Sequence, residues 1–86
     1  MQNDLPLIEA LISAFLLLEH SEPDEVNPDT AVRGMENMAW SLLNLSESDQ
    51  LILRAKLEKI AAEAEDSSYR DFVQALPDMI GLASLE

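Results

Sequence analysis

Leu5-Pro6-Leu7-Ile8-Glu9-Ala10-Leu11-Ile12-Ser13-Ala14-Phe15-Leu16-Leu17-Leu18 decides how the chain is read. The run is too short to cross a bilayer, which needs about 20 apolar residues, and Glu9 interrupts it. It has the length of a secretory core, but acids flank it and no basic segment precedes it. It reads instead as a helix from about Leu5 to His20. Asn3 or Asp4 can cap that helix, and Pro6 falls in the first turn, where its missing N–H costs little. Leu5, Leu7, Ile8, Leu11, Ile12, Phe15, Leu16 and Leu18 nearly encircle the axis, and Glu9 with Ser13 marks a polar stripe. Such a helix is expected to be buried on most sides, within a bundle or at a subunit interface.

The same reading extends along the chain. Ser21 to Asn27 is a loop. Asn27-Pro28-Asp29 opens a second helix with a cap, a proline at the first helical position and an acid at the positive dipole end. That helix is expected over about Pro28 to Asn44, with Val32, Met35, Ala39, Leu42 and Leu43 on one face. Gly34 falls on its outer side, where it is read as tolerated at a cost of about 1 kcal/mol relative to Ala. Ser46-Glu47-Ser48-Asp49 is a variant capping box. It starts a third helix to about Glu65, whose stripe is Leu53, Leu57, Ile60 and Ala64, widened by Ile52 and Ala61. Arg54 with Glu58, and Lys59 with Glu63, stand four apart and can pair. Asp66-Ser67-Ser68 caps a fourth helix, about Ser68 to Leu76, with Tyr69, Phe72, Val73 and Leu76 inward. Pro77 disfavours helix at Leu76 and begins a separate turn to Ile80; Gly81 stops it, and Leu82 to Glu86 pack loosely. The expectation is a single all-α domain over residues 1–86, a compact four-helix bundle with a short C-terminal helical turn.

Composition narrows function mainly by exclusion. The chain has 86 residues, 48% of them hydrophobic, and no cysteine. Disulfide scaffolds, thiolate metal sites and cysteine nucleophiles are excluded. The formal net charge is −12, which repels a polyanion, so direct nucleic-acid binding is not expected. Residues 1–32 carry seven acids (Asp4, Glu9, Glu19, Glu22, Asp24, Glu25, Asp29) and no Lys or Arg. The remainder carries ten acids and five bases, a net of −5 against −7.

No constellation for chemistry emerges. His20 stands alone at a helix end, where it suits the dipole. The Asp24–Asp29 stretch resembles a calcium loop only in part. Pro28 and Asp29 occupy the positions of a ligand and the required glycine, and Met35 stands where the bidentate Glu belongs. Size and acidity invite comparison with acyl carrier proteins, but the Asp-Ser-Leu attachment motif is missing. No glycine-rich phosphate loop exists. Neither a cofactor, a metal, an enzymatic activity nor a membrane association is expected, and the cytoplasm is the default compartment.

Surface charge is what remains. Spaced carboxylates on a small helical scaffold suit the capture of a basic protein, because opposite fields speed association. The expected contacts are Glu19, Glu22, Asp24, Glu25 and Asp29, with Trp40 as an aromatic anchor. In length, charge, absent cysteine and four-helix pattern the chain resembles the small acidic immunity proteins that bacteria keep against toxins. That resemblance implies a non-catalytic protein that occludes a toxin enzyme. The nuclease-colicin branch has paired tyrosines before a proline, whereas here Tyr69 is followed by Arg70, so no binding residue is carried over. Two alternatives stand beside it. One is a nucleic-acid mimic of phage type, which would compete with DNA for its target. The other is a helical accessory subunit that dimerises through the first helix.

Overall fold

A computed structural model describes residues 4–85. Among the described residues the chain is all-α, with four helices: α1 (Leu5–His20), α2 (Pro28–Leu42), α3 (Glu47–Glu63) and α4 (Ser67–Ile80). It divides into two compact units, residues 1–37 and 38–86, and the division falls within α2. No helix among the described residues is long and apolar enough to cross a membrane.

In the first unit, Pro6 lies in the first turn of α1, as its missing donor requires. Asn3 lies outside the described residues. The side chain of Asp4 makes no cap hydrogen bond; its carbonyl accepts the Ile8 N–H at 2.9 Å. The buried face of α1 is narrow, consisting of Ile8, Ile12 and Phe15. Leu5, Leu7 and Leu17 are exposed. Burial on most sides, expected from the apolar girdle, is therefore not found. Ile8, Ile12 and Phe15 take up the core contacts, Leu11, Leu16 and Leu18 are half-buried, and Leu5, Leu7 and Leu17 are left at the surface.

Asn27 caps α2 through its Oδ1, which accepts the N–H groups of Asp29 at 2.9 Å and Thr30 at 3.3 Å. The inward face of α2 keeps Met35, Ala39 and Leu42 of the expected line, all half-buried, but its edge is shifted: Ala31 is buried and Met38 half-buried, while Val32 and Leu43 are exposed. The helix ends two residues early, because Leu43, Asn44 and Leu45 turn toward the Ser46 cap. Gly34 faces α1, not open solvent. A Cβ placed there would lie 3.1 Å from Leu18 Cδ1, so the glycine admits a close approach of the two helices.

In the second unit, Ser46 caps α3, its Oγ accepting the Asp49 N–H at 3.1 Å. Asp66 caps α4, its Oδ2 accepting the Tyr69 N–H at 2.8 Å. Leu53, Leu57 and Ala61 of α3 are buried, as are Val73, Leu76, Pro77 and Ile80 of α4, and these two helices pack against each other. Ile52, expected to widen the stripe, is exposed.

Pro77 does not break α4; the terminal turn is the helix's own last turn. The proline removes one backbone donor, but its ring is fully buried, and that packing offsets the loss. Gly81 then ends the helix at φ 88°, the left-handed conformation glycine adopts without strain.

The segment after Gly81 is held down at its start. Leu82 is buried. Arg54 donates through Nε to the Ala83 carbonyl at 2.8 Å and through Nη2 to the Leu82 carbonyl at 2.9 Å. Gln50 Oε1 accepts the Ala83 N–H at 3.0 Å. The loose packing expected here is not found: the Arg54 donors and the Gln50 acceptor on α3 answer the segment's backbone groups. Arg54 consequently forms its ion pair with Asp78, at 3.0 Å, and not with Glu58.

Candidate partner-binding surface

The acidic segment begins at the end of α1. Ser21 Oγ donates to the Leu18 carbonyl at 3.2 Å, and the extended backbone of Ser21 ends the helix. Glu22 to Val26 then close into a tight turn. The N–H groups of Glu25 and Val26 donate to the Glu22 carbonyl at 2.9 and 3.1 Å. Glu25 Oε1 accepts the Glu22 N–H at 3.0 Å. One carboxylate is thereby fixed by the backbone it follows, and the turn has a defined shape. The Asn27 cap joins it to α2.

Glu19, Glu22, Asp24, Glu25 and Asp29 are all exposed, and all lie in the first unit. They occupy one continuous stretch: the last turn of α1, the connecting turn and the first turn of α2. Trp40 belongs to the second unit. It is 70% exposed, so it is not the lid of a core. Its neighbour one turn on, Leu43, is also exposed, and Asn44 Nδ2 donates to the Trp40 carbonyl at 3.2 Å.

An open groove of about 370 Å³ adjoins the acidic turn, lined by Ser13, Leu16, Leu17, His20, Ser21 and Glu25. It pairs an apolar floor with a carboxylate rim. Such a site suits the stem and head group of a lysine or arginine, whose methylenes pack on leucine while the charge meets an acid. Leu17 was absent from the apolar set read from the sequence. Counting its spacing from Leu7 on the wheel would have placed both on the outer side of α1. Glu9 and Ser13 are exposed together, as their stripe implies.

No polar or charged residue is buried among the described residues, and no group of three His, Asp or Glu side chains among them is placed to hold a metal ion. Chemically, the surface can offer hydrogen-bond acceptors and negative potential over a stiff turn. Searches for relatives return no matching family model, curated protein or solved structure.

Proposed function

We propose that the protein is a non-catalytic inhibitor that neutralises a basic partner protein, in the manner of an immunity protein or antitoxin occluding a toxin enzyme. The observation that carries this reading is the placement of Glu19, Glu22, Asp24, Glu25 and Asp29. All five are exposed on one short stretch of the first unit, within residues 1–32, which hold no Lys or Arg. A field of one sign on a preformed turn accelerates the encounter with a basic surface. An inhibitor that must outpace its target's activity gains directly from that speed. Trp40, exposed on α2 in the second unit, is proposed as an aromatic contact of its own.

The test has two stages. Tagged protein is used to capture partners from host lysate, with washes at low and then high salt. The partner expected is a basic protein, lost progressively as salt screens the contact. Association of that partner with the Asp24→Lys/Glu25→Lys variant is then followed by stopped flow. The on-rate is expected to fall by about tenfold or more, because steering resides in the charges removed. An unchanged rate excludes the turn from the interface. A captured partner that is itself acidic and resists high salt excludes the inhibitor reading.

A further inference from the structure

The outer face of α1 carries an apolar stripe that the fold leaves uncovered. Leu7, Ala10, Ala14 and Leu17 recur at spacings of three, four and three, which places them on one side of a helix. Leu7 is 71% exposed and Leu17 66% exposed. Ala10 is exposed and Ala14 half-buried between them. The stripe runs about 15 Å, given the helical rise of about 1.5 Å per residue. Single exposed leucines are ordinary. Two leucines in register, separated by alanines short enough to admit a neighbouring backbone, form a seam suited to another helix.

Charge selects the occupant. The seam belongs to the unit that carries residues 1–32, with seven acids and no Lys or Arg. A second copy packed in parallel would set two such acidic segments side by side, where repulsion across the Debye length of about 8 Å at physiological salt is only partly screened. A helix bearing lysines or arginines beside its apolar face meets the opposite field. At its C-terminal end the seam opens through Leu17 into the groove edged by Glu25. The Glu25 carboxylate is held there by the Glu22 N–H, ready for a basic head group whose stem lies on Leu16 and Leu17.

We propose that this face docks a basic amphipathic helix of a partner protein, by helix-to-helix packing along Leu7–Leu17 with a lysine or arginine seated at Glu25. The proposal rests on the inhibitor reading above and specifies the element of the partner that is grasped.

The probe is a synthetic leucine–lysine peptide of about four helical turns, patterned so that all leucines share one face. A scrambled peptide of the same composition and an oligolysine of the same charge are the controls. The patterned peptide is expected to bind more tightly than either control. Leu7→Ser/Leu17→Ser is expected to weaken the patterned peptide at least about tenfold, an effect well above experimental scatter, and to leave oligolysine binding unchanged. Both leucines are exposed, so the variant is expected to keep its circular dichroism spectrum and urea midpoint. Asp24→Lys/Glu25→Lys is expected to weaken all three ligands. Equal binding of patterned and scrambled peptides overturns the seam, as does a serine variant that binds the patterned peptide like the wild type. If the serine variant is silent but the lysine variant still loses binding, the seam falls and the acidic-surface reading stands. If the lysine variant changes nothing, the acidic-surface reading falls as well. A concentration-dependent dimer by sedimentation, abolished by Leu7→Ser/Leu17→Ser, assigns the face to a second copy and overturns the proposal.

Discussion

At Gly34 a missing methyl group leaves room for the tip of a leucine from the neighbouring helix. A Cβ there meets the tip of Leu18 at 3.1 Å, a contact that a flexible side chain relieves by a shift of a few tenths of an ångström. Alanine also favours helix over glycine by about 1 kcal/mol. Gly34→Ala is therefore expected to change the unfolding free energy by no more than about 1 kcal/mol, whereas Gly34→Leu, which has no such room, is expected to cost about 1–3 kcal/mol. Urea titration distinguishes the two. Arg54 works oppositely, by what it adds. Its guanidinium serves the carbonyls of Leu82 and Ala83 and the Asp78 carboxylate together. Arg54→Ala is expected to lower stability by about 1–3 kcal/mol, since two backbone acceptors lose their donor. Arg54→Lys is expected to recover only part of this, because an ammonium cannot reproduce the fork. The check is the urea midpoint with hydrogen exchange at the Ala83 amide, which is expected to exchange faster in both variants.

Among the elements, two leucines separate core from surface. Leu57 of α3 is fully buried and Leu7 of α1 is 71% exposed. Leu57→Ala is expected to destabilise by about 2–5 kcal/mol; Leu7→Ala is expected to fall within about 0.5 kcal/mol of the wild type. Chemical denaturation of the pair reads both. Helix starts were legible in the sequence, because they depend on local chemistry. Asn27, Ser46 and Asp66 each cap through a side chain next to the residues they serve. The faces of the helices were less legible. An all-apolar run such as Leu5–Leu18 has no contrast from which to choose an inward side. In α2 the edge of the inward face falls between adjacent apolar residues, Ala31 inward and Val32 outward, and the pattern alone does not choose between them. The continuation of α4 through Pro77 was not legible either. The local rule disfavours helix there, and only tertiary burial of the ring outweighs it. The C-terminal clamp by Gln50 and Arg54 joins residues about thirty apart, a distance no local pattern spans. Of the candidate surface, the acidic turn was legible from charge alone. The groove beside it was not, because Leu17 is absent from the apolar set and the run around it offers no contrast to mark an outer side.

Taken whole, the molecule carries a formal net charge of −12 on 86 residues. Repulsion among so many carboxylates opposes compaction, and salt weakens it over a Debye length of about 10 Å at 0.1 M. The melting temperature is therefore expected to rise by several degrees between low and high sodium chloride, as scanning calorimetry would show. A fall would mean that ion pairs such as Arg54–Asp78 outweigh the repulsion. The placement of the single tryptophan has a further, optical result. Trp40 is 70% exposed, so its indole meets water in the native chain much as it does in the denatured one. Its emission maximum should move little on unfolding, and a melt followed by tryptophan fluorescence would pass almost unseen. A molecule that settles over Trp40 removes that water and shifts the emission to the blue. The protein thus contains an unlabelled fluorescent reporter that is nearly silent to its own folding and responds to contact.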